Sequence, residues 1–169
     1  MTSSSIPEAF RAAVLTVSDS GARGERNDIS GPAVAKTLEK HHFSVIESRI
    51  VADDHAAIMK AIVELARKAR LVVTTGGTGL SPRDVTPEAT LAVVDRHVPG
   101  IAELMRLESL KITPRSALSR AVSGIRQSTL IINLPGSVKG VRECLTAVRP
   151  ILSHAVEVLK LGSVNCGET

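Results

Sequence analysis

Aromatic side chains are almost missing from this sequence: Phe10 and Phe43 stand alone, with no Trp and no Tyr. Single-strand nucleic-acid binders stack bases on aromatic rings, and this chain has no such platform to offer. Its core has to be built from Val, Ile, Leu and Ala. Cysteine is equally sparse. Cys144 and Cys166 lie too far apart for a metal-binding spacing and make no disulfide framework, so they read as free thiols of a reducing, cytoplasmic compartment. The opening MTSSSIPEAF has no basic start followed by an apolar stretch, so a secretory leader is not expected. No apolar run approaches bilayer-spanning length, so no membrane association is expected either. The net charge is +4, but Lys and Arg are scattered rather than blocked. That balance suits small anionic ligands better than a nucleic-acid partner.

What the chain does have is alternation. At 169 residues it reads as one domain spanning 1–169, with loose ends at 1–10 and 163–169. Ala12–Val17 and Thr129–Leu134 are continuous apolar runs, as in strands buried on both faces. Ser44–Val51 alternates partly and predicts an edge strand, and Arg70–Thr75 predicts another strand. Between them, Ser30–His42 predicts a helix with Ser30 as N-cap, and 53–69 predicts a second with an Ile58, Ile62, Leu65 stripe. Helices are also expected over Pro87–Val94, Ile101–Leu110 and from Val138 onward, where Pro150 should kink the last one or start a new segment. A short strand is expected in RAVSGI. Repeated strand–helix–strand units predict an α/β fold: a three-layer sandwich with a mainly parallel sheet flanked by helices on both faces.

In such a sheet, ligands bind beyond the carboxyl ends of the strands. That rule selects Ser18-Asp19-Ser20-Gly21, Asp53-Asp54, the loop TTGGTGLSPRD, and Pro135-Gly136-Ser137. The third loop matches neither the dinucleotide fingerprint nor the phosphate-binding loop that ends in Gly-Lys. Gly76, Gly77 and Gly79 have two readings: a tight turn where backbones approach closely, or a concavity of bare amides suited to a phosphate. The acids also have two readings. Asp53 or Asp54 would cap the helix that follows, and Asp84 would sit in a turn before a helix capped by Thr86. Alternatively, Asp53 and Asp84 would share one rim, where two carboxylates beside phosphates suit a magnesium ion. Arg83 adjoins that rim and could contact phosphate. His41 and His42 end a predicted helix, where imidazolium complements the dipole.

VLTVSDS, NDISGP, VADD, TTGGTG followed by RDVTPEAT, ALSRAVSGI and TLIINLPGS occur in that order and cover nearly the whole chain from Val14 to Leu161. Together they resemble the molybdopterin-binding superfamily, in particular its MogA/MoaB branch and the G domains of gephyrin-like proteins. The resemblance implies molybdopterin adenylyltransferase activity, which couples ATP with molybdopterin to give adenylylated molybdopterin and pyrophosphate. It implies a homotrimer, or in some MoaB-type members a hexamer, and a molybdenum-inserting MoeA-type partner that receives the product. The family's two essential acidic positions fall on Asp53 and Asp84, which are expected to hold Mg²⁺ against the nucleotide phosphates. Thr75, Gly76, Gly77, Thr78 and Gly79, with Arg83, would cradle the phosphate of molybdopterin or ATP, and Ser18, Asp19, Pro135, Gly136 and Ser137 would line the rest. The chain departs from the family pattern at Ala52 and Ala121, where many relatives carry Pro, and at Val138 after Ser137. None of these departures removes a charged group. A non-catalytic molybdopterin-binding or assembly protein is the alternative within the family, and a generic nucleotide-binding domain the alternative outside it.

Overall fold

The computed structural model describes residues 10–161. Strand β1 (Arg11–Val17) leads into a four-residue helix α1 (Asp19–Ala22) and then α2 (Ser30–Glu39). Next come β2 (Ser44–Val51), α3 (His55–Ala66), β3 (Leu71–Thr75) and α4 (Thr86–Leu91). The second half runs through β4 (Arg96–His97), α5 (Pro99–Leu110), a 3-10 turn (Pro114–Leu118), β5 (Ser123–Arg126), β6 (Thr129–Leu134) and α6 (Val138–Leu161). The strands form one sheet in the order β2-β1-β3-β6-β5-β4. β1 pairs parallel with β2 and β3, and β3 pairs parallel with β6; β5 is antiparallel to β6, and β4 to β5.

The apolar runs explain the layering. Successive residues of a strand face opposite sides, so each central strand feeds two cores. Ala12, Val14, Leu71, Val73, Leu130, Ile132 and Leu134 pack with α2, α5 and α6 on one side. Ala13, Leu15, Val17, Val72 and Ile131 pack with α3 and α4 on the other. Only β2 shows alternating exposure, as befits the edge of the sheet. The mainly parallel three-layer sandwich is as expected, with two short antiparallel strands added at one edge.

Several local expectations change. Ser30 is the first residue of α2 rather than its cap; the Asp28 carboxylate takes the Ser30 and Gly31 amides, at 3.0 Å each. α6 continues through Pro150 as one element. Proline deletes a donor there, costing about 3 kcal/mol. Val148, Leu152 and Val156 on the same helix are buried against the sheet, a gain of roughly 5 kcal/mol or more that outweighs the loss. The strand expected in RAVSGI starts only at Ser123. The expectation of loose ends falls mostly outside the described residues; Phe10, at the boundary, sets its ring edge-on to Phe43 with centroids 5.6 Å apart.

The end of α2 shows why dipole reasoning about His41 and His42 was incomplete. The His42 amide donates to the Glu39 carbonyl at 3.1 Å and the Phe43 amide to the Leu38 carbonyl at 3.2 Å. With His42 at φ 66, this is a Schellman ending, and buried Phe43 supplies its apolar contact with Leu38. Burial, followed by the charges of Arg149 and its neighbours, holds His41 below the usual imidazole range, so the imidazolium is disfavoured there. A β-carbon in this left-handed region costs about 1–2 kcal/mol. His42→Gly is therefore expected to stabilise the protein by about 1 kcal/mol, a rise in Tm of roughly 2–4 °C by calorimetry. A fall in Tm would show that the imidazole itself contributes to stability.

Candidate active site

The carboxyl ends of β1, β2, β3 and β6 open on one rim of the sheet, and the loops beyond them are laced together. Asp54 caps α3, accepting from the Ala57 amide at 2.8 Å. That leaves Asp53 out of the cap and facing the loop after β1. The Asp19 amide donates to Asp53 Oδ2 at 2.8 Å, and the Asp53 amide returns a bond to Asp19 Oδ1 at 3.0 Å. From the glycine loop, the Arg83 guanidinium reaches back to Asp19 Oδ2 at 2.5 Å. Arg83, expected to contact phosphate, is thus engaged with a carboxylate.

The tight-turn reading of the glycine loop holds at Gly76. Gly76 sits at φ 99, where an added β-carbon would strike the Val17 carbonyl, and Gly136 packs against its α-carbon. Gly76 is bare because strands β1, β3 and β6 converge on it. Its amide is spent on the Leu134 carbonyl at 3.2 Å, and its carbonyl accepts from Thr86 Oγ1 at 2.9 Å. Thr86 therefore buttresses the loop instead of capping α4. The amides of Gly77, Thr78 and Gly79 donate to no protein acceptor among the described residues. Gly77, at φ 65, would bring a β-carbon onto Thr86 Oγ1 and to 3.3 Å from Asp53 Oδ1; at Gly79 it would lie 2.8 Å from Asp84 Oδ2. Asp53 and Asp84 thus border the same loop two residues apart.

Gly77, Thr78, Gly79, Asp84, Gly136 and Ser137 line a cleft of about 640 Å³. That is the size range of small-molecule sites. Pro135, Asn133, Ser109 and Cys144 also line it, as do Arg115 and Lys139. A second hollow of about 210 Å³, holding Ser18, Arg26 and Asp28, adjoins it across Gly136. Of the residues singled out by sequence, Ser18 lies in this smaller hollow and spends its hydroxyl on the Gly21 amide. Thr75 is buried beneath the loop and donates to the Pro135 carbonyl at 2.8 Å. Ser137 lines the main cleft while its hydroxyl accepts from the Gly140 amide.

The electrostatics are uneven. Burial, opposed by the Asp19 amide and reinforced by the Asp19 and Asp84 charges, pushes the Asp53 carboxyl up. The Arg83 bond and the Asp53 amide hold Asp19 below the usual carboxylate range. Two contributors escaped sequence reasoning. Asn133 is fully buried and donates to Thr74 Oγ1 at 3.0 Å and Thr90 Oγ1 at 2.9 Å, joining β6, β3 and α4 under the cleft. Its signal was a lone amide in an apolar run. Arg120, from the segment before β5, braces the loop from outside through the Gly79 and Asp84 carbonyls.

The chain has relatives. A family model described as "Probable molybdopterin binding domain" matches residues 13–154. The chain belongs to that family. A Helicobacter pylori (strain J99) protein named molybdopterin adenylyltransferase is 42% identical over 156 residues, covering 90% of this chain and 89% of its own length. The Escherichia coli K12 protein of the same name is 41% identical over 151 residues, 87% of this chain and 77% of that one. A crystal structure of the molybdopterin biosynthesis enzyme MoaB from Thermus thermophilus superposes with a TM-score of 0.85 at 50% identity, covering 91% of this chain and 98% of that one. The molybdopterin-binding fold thus extends over nearly all the described residues.

Proposed function

We propose that this chain is a molybdopterin adenylyltransferase of molybdenum cofactor biosynthesis, joining ATP and molybdopterin into adenylylated molybdopterin with release of pyrophosphate. The observation that carries the reading is that Asp84 lines the cleft beside the unpartnered Gly77–Gly79 amides, while Asp53 borders the same loop from behind Gly77. Relatives named for this activity support it. In the reaction, an oxygen of the molybdopterin phosphate attacks the α-phosphorus of ATP. The bond from that phosphorus to the α,β-bridging oxygen breaks, and pyrophosphate leaves with the electron pair. Positioning and charge neutralisation carry most of such a transfer. The amides of Gly77, Thr78 and Gly79 point a partial positive field at phosphate oxygens. Arg83 keeps Asp19 ionised and so fixes the Asp19–Asp53 pair that orients Asp53.

Magnesium fits the acids. Asp53 Oδ1 and Asp84 Oδ1 accept no hydrogen bond among the described residues, and burial, followed by the Asp19 and Asp84 charges, raises Asp53. Hard carboxylate oxygens are what this ion takes. Asp53 and Asp84 would hold it, and it would draw charge from the phosphates they face. The reading includes a homotrimer, with a hexamer as the variant assembly, in the cytoplasm, and a MoeA-type protein that inserts molybdenum into the product. Among the described residues no helix is long and apolar enough to cross a membrane.

The test is pyrophosphate release from the purified protein with ATP, Mg²⁺ and molybdopterin. Release that needs all three supports the proposal. Tight molybdopterin binding without release would replace it with a non-catalytic binding protein.

A further inference from the structure

The segment 119–122, between the 3-10 turn and β5, passes beside the glycine loop and grips it. The Arg120 amide donates to the Thr78 carbonyl at 2.9 Å. Its guanidinium Nε donates to the Gly79 carbonyl at 2.7 Å, while its two Nη atoms donate to the Asp84 carbonyl and to Glu88. One residue thus holds both ends of the Gly79–Asp84 excursion and the first turn of α4. Between these grips the loop has little else to order it. Leu80, Ser81, Pro82 and Arg83 are all exposed, Leu80 at 65%, and among the described residues only the Arg83–Asp19 pair, beyond the turn's own bonds, ties them down. Arg120 is itself anchored. From α5, Arg106 Nη1 donates to the Ala121 carbonyl at 2.9 Å and the Ser119 carbonyl at 3.4 Å, clamping the peptides on either side.

We propose that Arg120 is a positioning residue that sets the spacing between the Gly77–Gly79 amides and the Asp84 carboxylate, with Arg106 as its anchor. The kinetic part of this proposal rests on the adenylyl-transfer reading above. Asp84 lies at one end of the gripped stretch and the bare amides at the other, so the reach of the guanidinium fixes how far apart they stand. A planar fork with several donors can meet carbonyls on two sides of a loop at once. A lysine ammonium meets them less well, and a glutamine cannot span them. Displacing a catalytic group by about 1 Å is enough to cost roughly 10²-fold in rate.

The experiment compares wild type, Arg120→Gln, Arg120→Lys and Arg106→Gln as full chains. Expected for Arg120→Gln is a kcat lower by about 10²-fold per folded molecule, with the KM for ATP moving less than about threefold. Arg120→Lys should fall between it and wild type, and Arg106→Gln should show a smaller loss of the same kind. By hydrogen exchange, the peptide covering 76–88 should open in Arg120→Gln while β1 and β6 keep their protection. A merely structural arginine would lower Tm and the folded fraction and leave kcat per folded molecule alone. A kcat within about threefold of wild type, or unchanged exchange over 76–88, overturns the proposal. If wild type itself releases no pyrophosphate, the transfer reading fails, and the exchange result alone decides whether Arg120 orders the loop.

Discussion

Asp84→Asn is expected to fold normally and to transfer AMP at least about 10³-fold more slowly, a loss of roughly 4 kcal/mol in barrier. The substitution keeps the shape of the side chain. Its remaining oxygen can still accept the Ser81 amide, now 3.0 Å from Asp84 Oδ2, so the turn before α4 should hold. What disappears is the charge that, in the proposed site, would face the phosphates across the bare amides. Circular dichroism and Tm check the fold, and pyrophosphate release checks the chemistry. Turnover within about threefold of wild type would remove Asp84 from the mechanism.

Asp53→Asn should lose activity as severely, yet gain stability at pH 7. The sign follows from the raised folded-state pKa, caused first by burial and then by the Asp19 and Asp84 charges. Below the ordinary carboxylate range Asp53 is protonated in both states and costs nothing. As pH rises through the window up to its raised folded value, the folded state must give up a proton it prefers to keep, and stability falls. Asp19 works in the opposite direction, because Arg83 depresses it: its contribution is present above the ordinary carboxylate range and is lost as pH falls through its lowered value. The Tm advantage of Asp53→Asn should therefore be largest near neutrality and shrink toward about pH 4. An advantage that is absent at pH 7, or that grows with acid, would contradict this account.

Gly76→Ala is expected to be the most damaging single methyl in the protein. At φ 99 an alanine is strained by about 1–3 kcal/mol. Its β-carbon would also collide with the Val17 carbonyl, a backbone atom of a central strand that has no rotamer to yield, which adds about 1–3 kcal/mol. The total of about 4 kcal/mol corresponds to a Tm lower by roughly 8–16 °C. Gly100→Ala is the matched control. It lies in α5, where an added β-carbon meets nothing within 4 Å, so helix propensity should make it neutral or up to about 1 kcal/mol stabilising. Equal losses at the two sites would mean that the packing at the strand ends is not what excludes a side chain from Gly76.

Much of this protein was legible in its sequence because burial leaves a one-dimensional trace. A strand covered on both faces is apolar nearly throughout, and Ala12–Val17 and Thr129–Leu134 are, with Thr16, Thr129 and Asn133 as the polar exceptions. An edge strand alternates, and Ser44–Val51 does. From that alternation of strands and helices, and the rule that ligands gather at strand carboxyl ends, the rim carrying Asp53, the glycines and Asp84 could be named before any coordinates. Where competing local roles shared the same residues, sequence could not choose. Asp54 rather than Asp53 caps α3, and Asp28 rather than Ser30 holds the start of α2, because hydrogen-bond geometry depends on where each side chain points. The antiparallel edge was only partly legible: a short strand was expected at β5, but its direction and the two-residue β4 were hidden.

The sequence by itself determined the layered α/β plan, the rim of the site and the acids on it, since hydrophobic period and glycine placement are local quantities. Only the tertiary structure decided that Gly76 is bare for packing while the Gly77–Gly79 amides find no protein acceptor among the described residues, that Arg83 serves Asp19, and that Arg120 crosses from a distant segment to hold the loop. Those are contacts between residues far apart in the chain, created when the sheet closes its strand order, and no stretch read alone contains them.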